Sequence, residues 1–156
     1  KEPENYEARA NLMWASSLAI NGLLKNGKEC PWSVHAMEHA LSAYYDVTHG
    51  VGLAILTPAW MEYILDDSTV QMFAEYGWNV WQLDRNADAI TTAKAAIQKT
   101  REFFISLGIP ATLRELGIPE DMLETMAKSA PKGGDTIHGV KPLHWKDVYE
   151  IYKLAY

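Results

Sequence analysis

Three of the chain's five histidines fall within fifteen residues, in the run WSVHAMEHALSAYYDVTHGVGLAI. His35 and His39 are four apart, so a helix sets both rings on one face, about 40° apart around its axis. His49 follows beside Gly50, where a helix is expected to have ended. Neutral imidazoles converging on one point suit a divalent transition metal such as Zn²⁺ or Fe²⁺. The same residues could instead satisfy core or surface hydrogen bonds, and both readings stand at this point. The spacing is not that of an HExxH zinc site, because Ala36 follows His35. Glu38 falls roughly 80° from the centre of the His35–His39 face. Asp46 reaches that face only if the helix has already opened there. The trio therefore reads as nitrogen ligands waiting for a partner from elsewhere in the chain or beyond it.

The elements that must position them read as helices throughout, and the expected fold class is an all-α, multi-helix bundle. The first helix is expected over 6–24, with Pro3 in a first turn or Asn5 as its cap, and ended by Gly27. Its two apolar stripes place it centrally in the bundle. A second helix over 34–45 takes Ser33 as its cap, unless Pro31 and Trp32 shift its start. A third over 52–65 is kinked by Pro58 or loses a turn there. A fourth runs over 69–76, with Asp67 or Ser68 as cap. The fifth is capped by Asn86, and Ile90, Ala93, Ile97, Thr100, Phe104 and Leu107 trace its buried stripe. Gly108 and Pro110 end it. The text LGIP at 107–110 recurs at 116–119, which reads as two stops of one kind rather than a repeat. A short helix over 112–115, one over 120–128 and a last over 145–154 follow, separated by the loop SAPKGGDTIHGVKP. No alternating strand run appears. Gly50–Val51–Gly52 is not a dinucleotide fingerprint, because no strand precedes it.

Bulk properties exclude several classes of function. The 156 residues are 48% hydrophobic and 22% charged, which is globular composition. A net charge of −6 with scattered lysines and arginines argues against nucleic acid or an anionic membrane as partner. No apolar run reaches membrane length, since Pro58 and Glu62 interrupt the longest. The single Cys30 excludes an internal disulfide, reads as a small buried residue, and fits the cytoplasm. Trp32 and Trp60 read as core or domain-interface residues. His138 reads as a solvated loop residue, Asp66–Asp67 as a turn and cap, and His144 as a structural cap three before Asp147. The sequence opens without methionine, directly into a helix pattern, as a fragment of a longer chain would.

The run from His35 to Gly50 resembles the signature of the iron-containing alcohol dehydrogenase family, in its branch of NADP(H)-dependent butanol dehydrogenases and broad aldehyde reductases. NYEARANLMWASSLAINGLL, HAMEHALSAYYDVTHGVGLAILTPAWMEY, FFISLGIPATLRELGI and DVYEIYKLA carry the resemblance over essentially the whole chain. It implies a C-terminal helical domain, spanning 1–156 and incomplete. An N-terminal nucleotide-binding domain and an upstream helix bearing an Asp and a His ligand lie outside it. His35 and His49 are then the remaining metal ligands. His39 faces the nicotinamide and substrate, orienting the substrate or relaying a proton, without binding the metal. Gly50 is expected to let the backbone turn tightly beside His49. The cofactors implied are Fe²⁺, Zn²⁺ or another divalent metal, with NADP(H). The partners implied are a small alcohol or aldehyde and the missing N-terminal domain, and a homodimer is one arrangement open to it. The 156 residues alone are expected to be inactive. Two rival readings remain: a stand-alone helical zinc or iron protein using His35, His39 and His49 together, and a helical interaction module without chemistry.

Overall fold

A computed structural model describes residues 2–27 and 31–156; Cys30, read above as a buried residue, lies outside them. The backbone divides into two units, Lys1–Pro31 and Trp32–Tyr156. The first holds helix α1 (Tyr6–Ile20) and a 3₁₀ turn over Leu23–Lys25. Asn5 caps α1 as expected, its side chain accepting from the Ala8 N–H at 3.0 Å. The helix ends at Asn21, before Gly27, because Gly22 takes a left-handed φ of 91°. No residue of α1 is buried. One helix and one turn offer no second apolar surface to each other, and Leu12, Met13, Trp14 and Ile20 are exposed.

The second unit holds α2 (Ser33–Tyr45), α3 (His49–Ile64), α4 (Val70–Val80), α5 (Ala89–Ser106), α6 (Leu123–Ser129) and α7 (Trp145–Leu154). The all-α class is therefore observed. The one addition is a pair of two-residue antiparallel strands, β1 (Thr136–Ile137) inside the segment expected to be plain loop and β2 (Leu143–His144) directly after it. Helix α3 is the hub: it packs against α2, α5 and α7, while α4 lies on α5 and α6 on α7. The core joins Met37 and Leu41 of α2, Ile55, Leu56 and Ile64 of α3, Ile97 of α5, Met126 of α6 and Ile151 and Tyr152 of α7. The Tyr152 hydroxyl donates to the Met37 carbonyl at 2.7 Å, which ties α7 to the middle of α2. Among the described residues, no helix is long and apolar enough to cross a membrane.

Helix ends explain most departures from expectation. Ser33 is the first residue of α2 rather than its cap, Trp32 taking the cap position, and its hydroxyl lies 3.4 Å from the His138 carbonyl. Asp88, not Asn86, caps α5, accepting from the Thr91 N–H at 3.0 Å. Gly108 and Gly117 both take left-handed φ, 83° and 77°, so the two LGIP segments do stop the chain alike. The second stop ends a series of turns and not the short helix expected over 112–115. There the Leu113 N–H is taken by the Ala155 carbonyl at 2.8 Å. The expected helix over 120–128 begins as a 3₁₀ turn, Glu120–Met122, before α6. Helix α3 continues through Pro58. His144 caps α7 as expected: its Nδ1 accepts from the Lys146 N–H at 3.3 Å, and Asp147 accepts from the His144 N–H at 2.8 Å.

Candidate metal centre

The site is made by the reversal from α2 to α3. Asp46 ends α2 with φ at 50°, a left-handed position that Asp tolerates better than most residues. The Ser42 hydroxyl lies between two acceptors that share its single hydrogen, the Val47 carbonyl at 2.8 Å in the turn and a Glu38 oxygen at 2.5 Å on α2. The Thr48 carbonyl already accepts from Val51 and Gly52, so α3 starts at once. His49 is thus the first residue of a new helix, not a loop residue after an old one. Gly50 is helical too, with open space where a Cβ would lie, so the tight turn expected there is absent.

Three residues of linker bring His49 back over the face of α2. Its ring centroid lies 5.2 Å from that of His35 and 5.5 Å from that of His39, the latter pair stacked. Trp32 stands edge-on to His35 at 4.2 Å, and Trp60 packs against Phe73 in the core. Burial is the main influence holding His35 below the usual histidine range; His49 and His39 add to it and Glu38 opposes it. A neutral ring is the form a metal requires. His39 is exposed, and Lys132 Nζ lies 3.4 Å from its Nδ1. Both border an open cleft of about 450 Å³ that also touches Ala36, Ala40, Tyr44 and Ser129.

The residue that sequence reasoning set aside is Glu38. Its side chain is fully buried, and it hydrogen-bonds to His49 Nδ1 and, at 2.5 Å, to the Ser42 hydroxyl. Glu38, His39 and His49 offer ligand atoms all within 4.8 Å of one another, a set that does not include His35. Asp46 and His138 take no part, and His144 is committed to its helix cap and to Asp135 at 3.3 Å. The one sequence signal for Glu38 was its i, i+4 relation to Ser42 on the helix that carries the histidines.

These donors fit a divalent transition metal. Two imidazoles on one tetrahedral ion, with metal–nitrogen bonds of about 2.0–2.1 Å, place their ring centroids roughly 5 Å apart. The His35–His49 and His39–His49 spacings both meet that condition.

Comparison with known proteins points the same way. Residues 1–156 match the family described as Fe-containing alcohol dehydrogenase, C-terminal. NADH-dependent butanol dehydrogenase A of Clostridium acetobutylicum is 60% identical, the match taking in 100% of this chain and 40% of that protein. NADPH-dependent aldehyde reductase YqhD of Escherichia coli is 36% identical over 87% of this chain and 35% of its own length. The crystal structure of NADH-dependent butanol dehydrogenase A from Thermotoga maritima superposes with a TM-score of 0.89 at 32% identity, covering 98% of this chain and 40% of that one. The chain thus spans about 40% of the length of the butanol dehydrogenases it matches.

Proposed function

Because this chain belongs to the Fe-containing alcohol dehydrogenase family, we propose that it is the metal-holding helical part of a cytoplasmic dehydrogenase interconverting primary alcohols and aldehydes. The observation that carries this reading is the meeting of His35 and His49 from two helices at 5.2 Å, with His39 beside them. His35 and His49 hold Fe²⁺, Zn²⁺ or another divalent metal, and the remaining ligands come from a part of the protein outside this chain. When bound, the metal supplies Lewis-acid polarisation of a carbonyl and the nicotinamide supplies hydride. His39 lies exposed on the same face, where it can orient a substrate oxygen or pass it a proton.

The resemblance in the sequence points to NADP(H), and the relatives are of both kinds. Higher identity to a relative named for NADH leads us to propose NADH as the cofactor of the complete protein. The proposed substrate is a short primary alcohol such as butanol, or its aldehyde. Residues 1–156 alone are proposed to bind metal weakly and to reduce no aldehyde, because the described residues contain only two strands of two residues each.

The test is the metal content of the complete protein. His49→Ala and His35→Ala are expected to remove the metal and leave the helices folded by far-ultraviolet circular dichroism. Unchanged metal content in either variant would overturn the assignment of that residue. The grouping of Glu38, His39 and His49 favours one second reading, a metal held by that set. Under it, His39→Ala abolishes binding and His35→Ala spares it.

A further inference from the structure

We propose that Glu38 is a positioning residue for His49: its buried carboxylate accepts the Nδ1–H of that ring, fixes the tautomer, and leaves Nε2 as the atom that binds metal. The proposal rests on His49 being a ligand. A neutral imidazole carries one N–H donor and one acceptor nitrogen, whereas a carboxylate only accepts. The bond between Glu38 and His49 Nδ1 therefore places the proton on Nδ1 and the free lone pair on Nε2.

Three further features are built around this carboxylate. The Glu38 side chain is 0% exposed while that of His49 is 48% exposed, so the pair has a buried anchor and a ring open to solvent on its other side. A buried carboxylate is costly unless its oxygens are hydrogen-bonded. Both have a donor beside them: one meets His49, and the other lies 2.5 Å from the Ser42 hydroxyl, whose single hydrogen it shares with the Val47 carbonyl. Space for the carboxyl comes from α3 itself, because a Cβ on Gly52 would stand 2.7 Å from Glu38 Cγ and 3.0 Å from its Oε1. Ser42, Gly52 and His49 thus share one centre, and that centre sits behind a proposed ligand.

The experiment uses the complete protein carrying this chain. In the metal-free state, long-range ¹H–¹⁵N correlation of the imidazoles is expected to show His49 as the Nδ1–H tautomer. Glu38→Ala is expected to give a mixture with Nε2–H. Titration with Co²⁺ is expected to show affinity about 100-fold weaker in Glu38→Ala and about 10-fold weaker in Glu38→Gln, whose amide oxygen accepts the same hydrogen. The visible bands of the Co²⁺-loaded Glu38→Gln protein should keep their parent positions. If Glu38→Ala does not fold, the near-isosteric Glu38→Gln carries the affinity and band comparison. An unchanged His49 tautomer or parent affinity in Glu38→Ala, or a loss in Glu38→Gln of about 100-fold or more, overturns the proposal. A displaced band in Glu38→Gln makes Glu38 a direct ligand and overturns it as well. Full Co²⁺ affinity in His49→Ala instead sinks the ligand reading itself, whatever the tautomer shows.

Discussion

Gly52→Ala sets two effects on one atom against each other. Glycine inside a helix is about 1 kcal/mol worse than alanine, so helix propensity alone makes the substitution stabilising. Gly52 lies in the first turn of α3 with no positive φ, so its backbone accepts alanine without strain. The new methyl, however, would stand 2.7 Å from Glu38 Cγ and 3.3 Å from its Cδ. Glu38 cannot swing away cheaply, because His49 and Ser42 hold its two oxygens. Overpacking at a filled site costs about 1–3 kcal/mol, and loss of one hydrogen bond to a charged group about 1.5–3 kcal/mol. As the two costs are alternatives and the propensity gain is about 1 kcal/mol, the net expectation is destabilisation of up to about 2 kcal/mol, or up to roughly 8 °C in Tm for a chain of this size. Gly50→Ala is the matched control: it is helical, two residues earlier, and has nothing within 4 Å of its Cβ position. It should be neutral or stabilising by up to about 1 kcal/mol. Urea melts followed by circular dichroism would read both variants. A Gly52→Ala protein as stable as Gly50→Ala would refute the argument that the Glu38 carboxyl occupies that space.

Three other consequences can be measured. Asp147→Ala removes the acceptor for the His144 N–H at 2.8 Å and for the Tyr63 hydroxyl at 2.5 Å. It should lower stability by about 1–2 kcal/mol, and a urea midpoint equal to the parent's would contradict that. The Tyr63 phenol, pushed up to about 12 by burial first and then by its bond to Asp147, should ionise at lower pH in the same variant. The difference at 295 nm between parent and Tyr63→Phe would locate its titration, and an identical curve after Asp147→Ala would remove Asp147 as a cause. The third concerns His35, which burial holds below its usual value of about 6.5. The unfolded chain then binds the proton more readily than the folded one, so stability rises with pH across this titration. The contribution is complete above about pH 6.5 and fades as pH falls through the lower folded value. Replacing His35 with Gln should flatten the pH dependence of the urea midpoint over that window, and a slope unchanged from the parent's would reject the assignment.

What the sequence disclosed and what it withheld divide along a physical line. Features set by a residue and its near neighbours were legible. Asn5 caps α1, Gly108 stops the chain after α5, and His144 with Asp147 forms the start of α7, because each depends on contacts within four residues. Burial along a helix was legible only where another helix covers it. Ala93, Ile97 and Thr100 of the α5 stripe are buried, yet Ile90 and Leu107 at its ends are exposed. An apolar pattern states what a face would gain by being covered, not what covers it, and α1 shows the same limit within its own unit. The site itself needed the fold. A wheel drawn for α2 places Glu38 off the histidine face, and that remains true of α2 alone. The face is redefined when Asp46 turns left-handed and α3 delivers His49 onto the Glu38 side of α2. The third histidine came from a different direction than the first two, so the chemistry moved around the helix toward it. The carboxylate that spacing had excluded from the trio thereby became the group in contact with its most solvent-exposed proposed ligand.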